Sequence, residues 1–142
     1  MTIPRFYVPG PWTSDRITFP EKASHHAMRV LRMRNGDEAE VFDAEGRTAR
    51  GRTEFSSEGT VLIAESYPEH GRESPLFITL AQAFVSPDKM EWITEKAVEA
   101  GASRIVFFPA ARSVTKLSGD KLTKRLEKLR ATAVSACEQC GR

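Results

Sequence analysis

Hydrophobic and polar positions follow two different rhythms along the chain, and the change falls in residues 67–75. That stretch is polar and punctuated by Pro68, Gly71 and Pro75, which reads as a linker. Before it, strand patterns dominate. Residues 5–8 are short, aromatic and β-branched, and residues 38–43 follow the turn signal Asn35-Gly36-Asp37. Residues 47–55 alternate weakly, while residues 59–67 carry the apolar run from Val61 to Ala64. Turn signals at Asn35-Gly36, Glu45-Gly46 and Glu58-Gly59 predict a small meandering β-barrel. One helix interrupts it over residues 21–31, with Ala23, Ala27, Val30 and Leu31 sharing one side at helical spacing.

After the linker the order becomes strand, helix, strand, helix. Residues 76–84 are almost continuously apolar, as in a strand buried on both faces. Ser86 is a good N-cap and Pro87 suits the first helical position. Met90, Ile93, Ala97 and Val98 then form a stripe that ends at Gly101. Residues 104–108 read as the next strand, so the crossover is right-handed and the sheet parallel. A long helix starts near Ser118 or Asp120, and Leu122, Leu126, Leu129, Ala133, Ala136, Cys137 and Cys140 keep a 3–4 spacing to its end. Two strands and two helices bury little apolar surface, so further chain or a partner is expected to complete this layer.

Composition narrows the class. A chain of 142 residues, 40% hydrophobic and 28% charged, suits one globular domain or two small ones and not a disordered chain. No run approaches the ~20 apolar residues that span a bilayer. The first ten residues lack the apolar core of a secretory signal, so a cytoplasmic location is expected. Charge is uneven: residues 1–70 hold 9 basic and 11 acidic side chains, against 12 and 8 in residues 71–142. Basic clusters occur at Arg29, Arg32 and Arg34 and again from Arg112 to Arg130, a pattern suited to phosphate contacts at defined places. A solvated helix face explains the second cluster as readily.

Several chemistries are disfavoured. Cys137 and Cys140 end the last helix, the opposite pole from the one that stabilises a thiolate, and continue its apolar stripe. Core packing is therefore expected of them, with a thiol oxidoreductase as a minor alternative. His25 and His26 point about 100° apart on a helix, so one should pack inward and one face solvent, without forming a metal pair. Phosphate-binding glycine motifs and Gly-x-Ser-x-Gly are both absent from the sequence. The most suggestive polar residues are Lys89, Glu95, Lys96 and Glu99 on the first crossover helix, and Arg112-Ser113 just beyond the second strand. Ligands bind at that end of open parallel sheets.

Met90-Glu-Trp-Ile-Thr-Glu-Lys-Ala-Val-Glu-Ala-Gly101, Arg104-Ile-Val106, Arg112-Ser-Val114, Lys124-Arg-Leu-Glu127 and Glu138-Gln-Cys-Gly-Arg142 occur in order. Upstream stand Arg5-Phe-Tyr-Val8, His25-His-Ala-Met-Arg-Val-Leu-Arg-Met-Arg34 and Gly36-Asp37. Over essentially its whole length the chain resembles the ribosomal RNA small subunit methyltransferase E family, which methylates N3 of a uridine in 16S rRNA. The resemblance implies an α/β protein with an all-β N-terminal part. Residues 1–70 would be a PUA-like RNA-binding β-barrel, and residues 71–142 the N-terminal part of a SPOUT-type methyltransferase domain. It further implies S-adenosylmethionine as methyl donor, 16S rRNA or the small ribosomal subunit as substrate, and a homodimer. The family's C-terminal trefoil knot, which makes most of the cofactor pocket, is not in this sequence, so cofactor-binding residues are expected beyond Arg142. Cys140 stands where a small residue such as serine is expected.

On that reading Arg5, Arg29, Arg32 and Arg34 contact RNA from the barrel, joined by Lys89, Lys124 and Arg125. Arg112 and Arg142 hold a substrate phosphate or base, and Glu138 orients the base or accepts its proton. The alternative is a non-catalytic RNA-binding module without the cofactor knot.

Overall fold

The structure is a computed structural model and describes residues 3–69 and 73–142. The chain divides into two compact units, residues 1–71 together with Arg142 and residues 72–141. Residues 70–72, at the centre of the expected linker, lie outside the described residues.

Five strands build the first unit: β1 (Arg5–Tyr7), β2 (Arg16–Thr18), β3 (Glu38–Phe42), β4 (Thr48–Ser56) and β5 (Gly59–Ser66). Their order in the sheet is β1-β3-β4-β5-β2; β1 pairs parallel with β3 and every other pairing is antiparallel. The predicted turns join β3 to β4 and β4 to β5, with Gly46 and Gly59 at positive φ. Strand β2 has no counterpart in the sequence reading, because three residues are too few to show alternation. Its register is set by Ile17 opposite Leu62, which turns both side chains into the core.

Flat, β1 and β2 would lie four strand spacings apart, about 19 Å. Yet the ring of Phe6 on β1 sits 5.1 Å from that of Phe19, one residue past β2. The sheet must therefore curl on itself, and it closes around Phe6, Val8, Ile17, Phe19, Ala27, Ala39, Val41, Ala49 and Leu62.

The helix expected over residues 21–31 is corrected. An α-helix, α1, runs only over Glu21–His25, and a π-helical turn follows over His26–Val30. The Leu31 N–H bonds to the His26 carbonyl, five residues back, at 3.0 Å. This wider turn rotates the later residues away from the core. Ala27 stays fully buried, but Val30 is 61% and Leu31 44% exposed. Both His25 and His26 are also exposed, although His26 lies edge-on to Phe6, so neither histidine is the inward one expected.

The second unit contains β6 (Thr79–Ala83), α2 (Pro87–Glu99), β7 (Arg104–Phe108) and α3 (Gly119–Cys140). β6 and β7 pair in parallel, with Leu80 opposite Ile105 and Gln82 opposite Phe107. Helix α2 begins and ends where the sequence signals place it, with Pro87 at its first position and Gly101 at positive φ beyond its end. The strand expected over residues 76–84 is corrected. Pairing starts only at Thr79, opposite Arg104, and Leu76, Phe77 and Ile78 are exposed. β6 is not buried on both faces: none of its five residues is fully buried, and Thr79 and Ala81 are exposed. Phe84, Met90 and Leu129 form a small core with Val85, Phe107, Leu117 and Leu122 packed against it. Of the α3 stripe only Leu129 and Ala136 are fully buried.

Candidate nucleic-acid interface

In the second unit, the chain leaves β6 at Phe84 and enters α2 three residues later, and it leaves β7 at Phe108 into a ten-residue loop. These two exits frame a depression of about 520 Å³, lined among others by Ser86, Lys89, Arg112, Ser113 and Thr115. Lys89 stands on the first turn of α2, where the helix dipole adds positive potential. Both Lys89 and Arg112 are exposed and neither makes an ion pair among the described residues. Two cations, a helix N-terminus and hydroxyl donors converge at the carboxyl ends of parallel strands. Such a set complements a phosphodiester.

Glu138 and Arg142 are not part of that constellation. Helix α3 is 22 residues long, about 33 Å. Its first turns pack beside Phe84, at the strands' carboxyl ends. By Leu129, Arg130 and Ala133 it has reached the level of Ser103 and Arg104, where β7 begins. Glu138, two turns further, lies at the opposite end of the sheet from Arg112, and Arg142 follows the Gly141 cap. Linear order had grouped these three residues; the antiparallel return of the helix separates Glu138 from Arg112.

Arg125 also has another employment. It bonds Glu91 of α2 at 2.9 Å, and Lys128 reaches the same carboxylate at 2.7 Å. The Lys128 hydrogen bond and the two positive charges hold the Glu91 carboxyl below its ordinary pKa against a desolvation that works the other way. Lys124, by contrast, is exposed. Cys137 and Cys140 are half-buried on the last turn of α3.

In the first unit, Arg29, Arg32 and Arg34 lie on and just after the π-helical turn, all exposed and without an ion pair among the described residues. Arg32 has φ +54°, a left-handed conformation that costs a non-glycine residue about 1–2 kcal/mol. Strain of this kind and π turns both concentrate at functional sites. Arg5 differs from these three. Its guanidinium bonds the buried Glu40 at 2.6 Å and lies over the Phe42 ring at 4.7 Å. Arg50 shares the same carboxylate at 3.0 Å. Arg5 is thus committed to the fold and is left out of the exposed basic face.

Met28, Val30 and Leu31 are exposed among these arginines, which sequence reading missed. A signal was present. Three arginines interleaved with the apolar residues of one short segment are too many for a helix that buries its stripe.

The RNA methyltransferase domain family matches residues 72–142, and the RNA methyltransferase PUA domain family matches residues 19–64. The chain belongs to the RNA methyltransferase family. Ribosomal RNA small subunit methyltransferase E of Bacillus subtilis is 35% identical over 120 residues, which are 83% of this chain and 46% of that protein. The enzyme of the same name from Neisseria gonorrhoeae, solved bound to S-adenosyl methionine, superposes with a TM-score of 0.88 at 30% identity. That match covers 99% of this chain and 59% of the solved one. A Legionella pneumophila protein, solved in complex with the cofactor SAM, gives a TM-score of 0.93 at 29% identity over 100% of this chain and 60% of its own. The chain thus spans about half the length of the curated relatives it matches. These likenesses agree with the mixed α/β fold expected from the sequence, with a strand-rich N-terminal sheet.

Proposed function

We propose that this chain carries the RNA-holding part and the first half of the catalytic domain of an S-adenosylmethionine-dependent rRNA methyltransferase. The finer reading, N3 of a uridine in 16S rRNA, follows the family resemblance, as do a homodimer and a cytoplasmic location. Residues 1–70 grip folded RNA through Arg29, Arg32 and Arg34. Lys89 and Arg112 hold a phosphate of the nucleotide presented at the strand ends. The observation that carries this reading is the convergence of those two cations on one depression at the carboxyl edge of a parallel sheet.

The methyl donor itself makes a different demand on a site. S-adenosylmethionine bears a sulfonium cation, an ammonium group and a carboxylate, a net positive charge, and among the described residues two cations and no carboxylate line the depression. The residues suit an RNA phosphate, whereas of the cofactor's three charged groups only its carboxylate would find a complement here. What these side chains do is position: a nucleotide pinned by its phosphate presents its base in a fixed orientation, which lowers the entropic part of the barrier. Glu138 and Arg142, at the other end of α3, are given no part in that depression.

The test is methyl transfer to small-subunit rRNA by the full-length protein, with Lys89→Ala and Arg112→Ala single and double variants. Each single change should raise KM about tenfold. Each cation removed from a phosphate should also flatten the salt dependence of RNA binding by about one unit of slope. Unchanged kinetics and slope in the double variant would remove the proposed role. RNA binding without any methyl transfer by the full-length protein would favour the non-catalytic module.

A further inference from the structure

The exposed π-helical turn borders a second depression of the first unit, about 550 Å³ in volume, whose chemistry differs from that of its basic rim. Ile3, Leu31 and Met33 supply apolar walls, and Asp37, Glu38 and Arg52 supply polar groups. Arg52 is already engaged: its guanidinium donates to the Gly36 carbonyl at 2.9 Å and pairs with Glu65 at 3.3 Å. One oxygen of Asp37 accepts the Arg34 N–H at 2.7 Å, which leaves its other oxygen, while Glu38 meets Arg52 only at 3.7 Å. The depression therefore offers apolar faces and carboxylate acceptors. Outside it stand Arg29, Arg32 and Arg34.

A phosphate would be repelled by those carboxylates, and an aliphatic group would leave them unpaired. A planar heterocycle with adjacent N–H donors answers both demands. Resting on the RNA-binding reading above, we infer that this depression takes one unpaired guanine of the RNA, with Arg29, Arg32 and Arg34 on the neighbouring phosphates. The base stacks against Leu31 and Met33 and donates N1–H and N2–H to the carboxylate of Glu38 or Asp37. Guanine alone among the four bases presents two donors side by side on its Watson–Crick edge. Uracil would set two carbonyl oxygens against the carboxylates. A duplex cannot enter, because its bases are stacked and their edges already paired. Here the π turn has a use: by rotating Val30 and Leu31 outward it places apolar side chains where a base leaves its stack, and Arg32 holds that geometry at positive φ.

Fluorescence anisotropy on the full chain tests this with three labelled probes: a single-stranded oligonucleotide of uridines with one central guanosine, an all-uridine strand, and a duplex of the same length. The guanosine strand should bind about tenfold tighter than either of the others. Leu31→Ser and Glu38→Gln alter exposed side chains and should each remove about fivefold of that preference. Arg29→Ala with Arg34→Ala should weaken every probe and flatten the salt dependence. Equal affinity for guanosine and uridine strands, or a duplex bound as tightly, would overturn the guanine site while the basic face stood. Affinity unmoved by the arginine changes would instead overturn the basic face. If Leu31→Ser converted a dimer to monomers in light scattering with no effect on the probes, the patch would be a contact between copies, and the inference would fall.

Discussion

Phe6 and Phe19 come from opposite edges of the five-stranded sheet, and their rings meet at 5.1 Å with a tilt of 51°. Among the described residues no backbone hydrogen bond joins those edges directly in the strand order, and this ring pair packs across the gap between them as part of the closed core. Phe6 is 2% and Phe19 5% exposed. Phe19→Ala should therefore cost about 3–4 kcal/mol in urea unfolding, the cavity adding to the lost transfer energy. A loss below about 1 kcal/mol would mean the curl is set by the backbone alone.

Gly51 offers a sharper steric test. β4 shifts register between Arg50 and Gly51, and a Cβ on Gly51 would lie 1.8 Å from the Ile63 carbonyl oxygen. That obstacle is backbone and cannot swing aside. Gly51→Ala should open the β4–β5 pairing and lower stability by about 2–3 kcal/mol. Gly46→Ala, at φ +81° with open space around it, should cost only about 1 kcal/mol of conformational strain. Similar losses at the two positions would show that the bulge relaxes.

The hairpin between β3 and β4 turns on one buried carboxylate. Asp43 accepts the backbone N–H of Glu45 at 2.9 Å and of Arg47 at 3.0 Å, and pairs with the Arg47 guanidinium at 2.6 Å. Burial pushes its pKa up, but the Arg47 side chain, the two backbone N–H groups and the Arg47 charge together outweigh it and leave the value below normal. A depressed value stabilises the fold above the ordinary carboxylate range, near about 3.9, and that contribution disappears as pH falls through the folded-state value. Asp43→Asn should cost about 2 kcal/mol at pH 7, with the gap to the unmodified chain narrowing as pH is lowered towards 3. A gap of constant size across that range would deny the carboxylate this part.

Much of this architecture is legible in the sequence alone. Alternation, turn glycines and the Ser86-Pro87 start of α2 are local signals, so the strand-rich first half and the parallel crossover of the second could both be read. What escaped was not carried by hydrophobic spacing. The break of the first helix depends on a carbonyl accepting from five residues on, which hydrophobic spacing does not encode. The exposure of Leu76, Phe77 and Ile78 depends on what packs against that segment, not on their own character. Lys89 and Arg112 could each be singled out in advance, one on the crossover helix and the other just past the second strand, but not as a pair. Glu138 could not be excluded from their company, since its distance follows from the direction in which α3 returns.

Arg125 and Lys124 are neighbours in sequence, and both looked like RNA contacts, yet they should respond to substitution in opposite ways. Arg125 is 19% exposed and bonds Glu91, itself 25% exposed, so this ion pair between α2 and α3 is better shielded than most surface pairs. Lys128, at 60%, adds a third charge whose pull is largely screened by water. Arg125→Ala should therefore lower stability by about 1 kcal/mol, and its effect should be strongly non-additive with Glu91→Gln in a double-mutant cycle. RNA affinity should stay the same. Lys124→Ala should leave unfolding unchanged and reduce the salt dependence of RNA binding if α3 meets the phosphate backbone. Additive stability losses at Arg125 and Glu91, or an RNA defect in Arg125→Ala alone, would return Arg125 to the binding face and take it out of the helix pair.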